Sequence, residues 1–312
     1  MMVSALVAGS GGFVGSALVA ALASRGHDVS VMTTGSSAPR YPVRIVRLDR
    51  WHPVCVADAE PTPRYDWIFN LAAYGVDPGQ EDCEAARLAN TELPLVFVDM
   101  ARRAGARALV HVGSAFEYAE LAERRPMRES DPLEAVKIYA ASKAAGSLAV
   151  IEAARERSIN VAVARLFGVY GAGERTWRLF PSLHASLTNG KSVPLSDGSQ
   201  VRDFLYIEDA AAGLVALALA ISDGSGGLGI VNLCSGVEVT VRRFAETVAD
   251  VLGAPRDLLR FGAIPMRPRE IAYLVGDASR LNGATPWRPT YSLELGISMA
   301  SAELSAKIRS AR

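Results

Sequence analysis

The chain has 312 residues, 50% of them hydrophobic, and its 33 basic side chains equal its 33 acidic ones. That balance excludes a global basic field for nucleic acid and an acidic solvating tail, so any bound anion needs a local site. The length allows one large or two medium domains with a sizeable core.

The cysteines, Cys55, Cys83 and Cys234, are isolated and have neither zinc nor redox spacing. An odd number without a disulfide framework favours a reducing compartment. His27, His52, His111 and His184 are scattered, so no metal site is expected. Residues 1–8 run into an apolar strand without the basic flank and cleavage site of a signal peptide. No apolar run reaches membrane-spanning length. The expectation is a soluble cytoplasmic protein with no membrane or nucleic-acid partner.

Residues 3–8 form a short apolar run that predicts a strand buried on both faces, as in a parallel sheet. Gly9-Ser10-Gly11-Gly12-Phe13-Val14-Gly15 follows, then a helical pattern at 16–25 and a second strand at 29–33. Strand, glycine-rich turn, helix and strand within about thirty residues form a dinucleotide-binding pattern. Gly9 would allow the tight turn, and Gly12 would let a pyrophosphate approach the helix N-terminus. Gly15 would permit close helix packing, while Gly11, Phe13 and Val14 complete the cofactor turn. Further strands are expected at 43–48, 66–71, 107–112, 160–165 and 230–234, and helices at 139–157, 176–189, 210–221 and 241–252.

Tyr139-Ala140-Ala141-Ser142-Lys143 lies in a run of good helix formers. Positions i and i+4 share a helix face, so the lysine ammonium can stand near the phenol. A neighbouring cation favours the phenolate and lowers the tyrosine pKa. Ser114 ends the fifth strand, and ligands of open α/β sheets bind beyond the carboxyl ends of strands.

These features resemble the short-chain dehydrogenase/reductase superfamily, in its extended branch of sugar-nucleotide epimerases, dehydratases and reductases. The resemblance covers most of the chain and implies an NAD(P)-dependent enzyme with a Rossmann-type, doubly wound α/β sheet and a smaller C-terminal α/β substrate lobe. Residues 1–170 would form the cofactor domain, with about 201–235 returning to it. Residues 171–312 would build mainly the substrate lobe.

The resemblance assigns further roles. Asp49 would contact the adenine, and Leu71, Ala72 and Ala73 would lie along the cofactor. Asn90, expected to open a helix, would steady the sheet. Ser114 would hydrogen-bond the reacting oxygen, Tyr139 would act as acid or base, and Lys143 would bind the nicotinamide ribose. Phe167 belongs to a turn between cofactor and substrate in which Gly168 replaces the family's asparagine. Arg202 and Arg267 would hold the substrate diphosphate, Arg202 having a salt bridge to Asp203 as its other reading. Asp209 is expected to cap the helix at 210–221.

Thr33 and Thr34 stand where NAD-specific relatives carry an acid, and Arg40 follows. Hydroxyls plus an arginine favour NADP, with NAD as the alternative. After Ser114, Ala115 and Phe116 replace the acids typical of dehydratases, and Glu117 on an extended backbone would point away. The expected reaction is reduction of a 4-keto sugar nucleotide. A 4-epimerase retaining NAD is the alternative, followed by a 4,6-dehydratase or a non-catalytic dinucleotide sensor. The resemblance implies a homodimer packed through the tyrosine-bearing helix, and the small residues at 140–146 permit close helix packing.

Overall fold

The computed structural model describes residues 2–35, 41–59, 64–77, 79–224, 226–268 and 270–310, with side chains to residue 307. A seven-stranded parallel sheet organises them. Its strands are β1 (Ser4–Ala8), β2 (Asp28–Thr33), β3 (Arg44–Arg47), β4 (Trp67–Asn70), β5 (Ala108–Ser114), β6 (Val161–Leu166) and β7 (Gly229–Leu233). Their spatial order is β7-β6-β5-β4-β1-β2-β3, which is a doubly wound arrangement.

Continuous apolar strands produce this sheet because both faces are covered. Ala5 and Val7 join Leu18, Leu22 and Leu214 on one face. Leu6 and Ala8 join Phe97, Met100 and Val150 on the other. Helices α1 (Phe13–Ser24) and α4 (Ile207–Ile221) thus cover one side, and α2 (Leu93–Ala104) and α3 (Ile138–Glu156) the other. A second lobe packs Phe180, Leu183, Phe244, Val248 and Ile297 from the helices Leu179–Leu187, Val241–Leu252 and Leu293–Ser310. No helix among the described residues is long and apolar enough to cross a membrane.

Several local expectations need correction. Strand β5 continues through Gly113 and Ser114, which pair with Arg165 and Leu166 of β6. Residues 115–117 are not extended but form a 3-10 turn. Asn90 does not open a helix: it sits inside the wide turn Leu88–Glu92, between Cys83–Arg87 and α2. Helix α4 begins at Ile207, so Asp209 lies in its first turn, and its carboxylate accepts Thr290 N–H and Tyr291 N–H at 2.9 and 3.1 Å. It ties down the C-terminal segment instead of capping α4.

The small residues of α3 serve the subunit itself. A Cβ at Gly146 would lie 1.8 Å from the Asn90 carbonyl oxygen, and Ala140 and Ala144 are buried within this chain. Ala145, and Leu148 just beyond this stretch, are exposed, and Ala141 and Ser142 are partly so. One close contact of this stretch is thus made within the chain, against Leu88–Glu92.

Candidate active site

The glycine turn follows β1. Gly9 has φ +80°, and a Cβ there would lie 2.8 Å from the Leu71 carbonyl carbon, so only glycine fits against the end of β4. Gly15 packs on the turn itself, since its Cβ would meet the Gly9 oxygen at 2.2 Å. Gly11 is exposed with nothing within 4 Å of its Cβ position. Gly12 is the N-cap of α1, with no side chain capping it, an arrangement that leaves the first amides of a helix for an anion. Leu71 and Ala72 flank this turn, with Ala72 N–H fixed by Asn70 Oδ1 at 3.1 Å, and Ala73 follows them in an exposed position.

Thr33 ends β2, where its Oγ1 accepts Gly35 N–H at 3.0 Å. Thr34 is exposed, and Asp49, two residues beyond β3, is exposed as well. Arg40 lies outside the described residues, as do Ser36 and Ser37. The parallel register brings another cation here: Arg47 pairs with Thr33, and its guanidinium donates to Gly35 O at 2.7 Å. Sequence reasoning missed Arg47. Aligning β3 beside β2 would have found it.

Tyr139 and Lys143 lie one turn apart on α3. Asn90 fixes this helix: its Nδ2 reaches Tyr74 O and Ser142 Oγ, and Ser142 Oγ donates to Tyr139 O at 3.0 Å. The Tyr139 ring packs on Gly75, where a Cβ would lie 2.9 Å from its Cδ2. Burial raises the phenol pKa, and the hydrogen-bonded Ser114 hydroxyl opposes that rise. Tyr139 and Ser114 are therefore together.

Lys143 is 1% exposed, and its Nζ donates to Val112 O at 2.7 Å. Burial brings its pKa down to about 8. Glu117 and Arg178 act on the phenol more weakly, the first raising its pKa and the second lowering it. Close by, His111 Nδ1 accepts from Asn70 Nδ2 at 3.1 Å, and burial holds the ring neutral.

Glu117 is withdrawn from the cleft, though not for the reason expected. The 3-10 turn aims it inward, where it accepts Ser114 N–H at 2.8 Å and Ser147 Oγ at 3.0 Å, and pairs with Arg165 Nε at 2.8 Å. Ala115 is buried beside it, while Phe116 remains 47% exposed.

On the substrate side, Gly168 N–H donates to Asp203 O at 3.0 Å, and a Cβ there would lie 2.5 Å from that oxygen. The glycine lets Gly168–Tyr170 pair with Phe204–Tyr206. Phe167 turns inward against Tyr118 and Gly276, and its N–H donates to Leu233 O at 3.2 Å. Arg202 does not bridge to Asp203: its Nη2 meets Glu270 Oε1 at 2.6 Å. Asp203 instead accepts Ser235 N–H and Gly236 N–H at 2.7 and 2.8 Å. Arg267 is exposed on the loop before Glu270. Among the described residues, no cluster of three or more His, Cys, Asp or Glu could hold a metal ion.

The family model described as the NAD dependent epimerase/dehydratase family matches residues 5–234. A dTDP-6-deoxy-L-talose 4-dehydrogenase (NAD(P)(+)) of Kitasatospora kifunensis is 28% identical over 295 residues, covering 92% of this chain and 91% of that protein. A UDP-glucose 4-epimerase of Corynebacterium glutamicum is 27% identical over 307 residues, covering 92% and 91%. The crystal structure of a Thermotoga maritima UDP-glucose 4-epimerase with UDP-glucose superposes with a TM-score of 0.86 at 21% identity, covering 98% of this chain and 99% of that one.

Proposed function

This chain belongs to the NAD dependent epimerase/dehydratase family, and from that premise we propose that it reduces the 4-keto group of a nucleotide-activated deoxysugar, using NADPH. The observation that carries the reading is the meeting of Tyr139 with Ser114 while the first carboxylate after Ser114, Glu117, is committed to Arg165. Keto reduction needs a proton donor and a polarising hydroxyl, which are present. Dehydration gains from a free acid at this point, and none is offered.

The open Gly11, the uncapped α1 N-terminus and the exposed Asp49 fit a dinucleotide. Arg47 beside Thr33 fits a 2′-phosphate, which favours NADP over the NAD alternative. When bound, NADPH supplies the hydride to the keto carbon. Tyr139 gives its proton to the carbonyl oxygen as the ketone becomes an alcohol, and Ser114 hydrogen-bonds the same oxygen. The Lys143 ammonium, with three donors and one given to Val112, has capacity left for the nicotinamide ribose. Arg202 and Arg267 anchor the diphosphate, so binding energy remote from the keto group orients the sugar.

The second reading is a 4-epimerase with retained NAD, which the Corynebacterium glutamicum relative supports. Purification without added cofactor separates the two. A cofactor-free preparation that oxidises NADPH with a 4-keto nucleotide sugar is expected. A preparation saturated with NAD and inert to NADPH overturns the reductase reading. Loss of turnover in Tyr139→Phe with dinucleotide binding retained is also expected, and full turnover there would favour a non-catalytic sensor.

A further inference from the structure

The Arg202 guanidinium, proposed as an anchor for the substrate diphosphate, is already engaged. Its Nη2 donates to Glu270 Oε1 at 2.6 Å and its Nη1 to Val201 O at 2.9 Å. The two charged side chains are largely buried, 15% and 25% exposed. Glu270 sits on a short turn, its N–H donating to Arg267 O at 3.1 Å. The same turn therefore carries the second proposed anchor, Arg267, which is exposed. From Ala272 onward the chain is fixed. Ala272 N–H donates to Glu120 Oε1 at 3.0 Å, Ala272 O accepts Val201 N–H at 3.0 Å, and Tyr273–Leu274 pairs with Val201–Arg202. Ahead of the turn, Met266 is exposed and borders a cavity of about 400 Å³ that Gln200 and Tyr273 also line. The turn is thus anchored at its far end and open on one side.

We propose that Glu270 is an internal competitor for the diphosphate: its carboxylate holds Arg202 in the empty site, and substrate binding exchanges that carboxylate for phosphate oxygens while the turn carries Arg267 onto the same group. This rests on the reading of Arg202 and Arg267 as diphosphate anchors. A guanidinium presents the same planar fork to a carboxylate and to a phosphate, so the two anions compete for one set of donors. Keeping both beside Arg202 would press like charges together in a poorly solvated place. Between turnovers Glu270 spares the protein a largely buried, unpaired cation. The site is then open only part of the time, and apparent affinity falls by that fraction. The return is in release. Substrate and product carry the same diphosphate, and a carboxylate that re-forms its pair with Arg202 hastens the product's departure.

Calorimetric titration of dTDP, UDP and GDP into the protein and its variants tests this. Glu270→Gln keeps the shape of the side chain and removes its charge. It is expected to tighten binding of the preferred nucleoside diphosphate about fivefold or more, with Glu270→Ala acting in the same direction and Glu270→Asp restoring most of the wild-type affinity. Arg202→Ala is expected to weaken binding and to abolish the effect of Glu270→Gln, because the competitor acts only through that guanidinium. Weaker binding in Glu270→Gln and Glu270→Ala overturns the proposal, since the carboxylate would then support the bound state. Unchanged binding overturns it as well, as do equal tightening in the Arg202→Ala background and failure of all three nucleotides to bind Glu270→Gln. The titrations need no hydride transfer. Tightening without NADPH-dependent turnover would remove the reductase reading and leave the exchange standing. Turnover of a 4-keto nucleotide sugar without tightening would do the reverse.

Discussion

The Glu117 carboxylate and the Arg165 guanidinium meet at 2.8 Å, with side chains 0% and 1% exposed. The same guanidinium lies 4.4 Å over the Tyr118 ring, and the same carboxylate holds Ser114 N–H. Fold stability and the setting of the proposed catalytic hydroxyl thus share one buried ion pair. Glu117→Ala strands Arg165 without its counter-charge, and is expected to cost about 3–5 kcal/mol. Urea unfolding measures this. A loss below about 1 kcal/mol would show that the pair is dispensable.

Lys143 gives stability a specific pH dependence. Burial lowers its pKa from 10.5 to about 8, so the folded protein holds this proton less tightly than the unfolded chain. Below about pH 8 both states carry it, and the cost of burying the charge is fully present. Between about pH 8 and about 10.5 the folded state sheds it first, so this site's contribution to stability rises with pH, by up to about 3 kcal/mol. Lys143→Met is expected to lack that rise. Unfolding free energies of both proteins, compared across the window, test it; parallel curves would refute the assignment.

Gly146 sets how closely α3 approaches Leu88–Glu92. Gly146→Ala places a methyl 1.8 Å from the Asn90 oxygen, and overpacking of this kind costs about 1–3 kcal/mol. Because Asn90 also holds Ser142, which holds Tyr139 O, turnover is expected to fall along with stability. Denaturant unfolding paired with steady-state kinetics decides the matter. An unchanged midpoint would mean that the helices separate freely.

Arg47 offers a test of cofactor preference. A charge-assisted hydrogen bond is worth roughly 1.5–3 kcal/mol, so Arg47→Ala is expected to weaken NADPH binding about tenfold or more while sparing NADH. Calorimetric titration with each dinucleotide measures both constants. Equal weakening of the two would assign Arg47 to the loop and not to the 2′-phosphate.

What sequence alone revealed here was local. The apolar strands, the glycine turn and the helix Val241–Leu252, with Phe244, Ala245, Val248 and Ala249 buried on one face, are written in short-range periodicity. Ser114 and Tyr139 could be paired because a family pattern joined them across 25 positions. The partnership of Glu117 with Arg165 spans 48 residues and depends on a 3-10 turn that alternation cannot signal. Asp209 failed for a similar reason: its ligands, Thr290 and Tyr291, are distant in the chain. The alternative reading of Arg202 as a partner of Asp203 fails because a neighbour in sequence points along the opposite side of an extended strand, and Glu270 meets the guanidinium instead.

The sheet order has a consequence for synthesis on the ribosome. Strand β7, residues 229–233, closes the flank of β6, and α4 covers the face above α1. Both arrive after the glycine turn, Ser114, Tyr139 and Lys143 have all been made. The nascent chain therefore carries every proposed proton-transfer residue well before it can bury the sheet that aligns them. Until residue 233 emerges, the hydrogen-bonding edge of β6 stays open to other chains, and this is the interval in which a chaperone has most to protect.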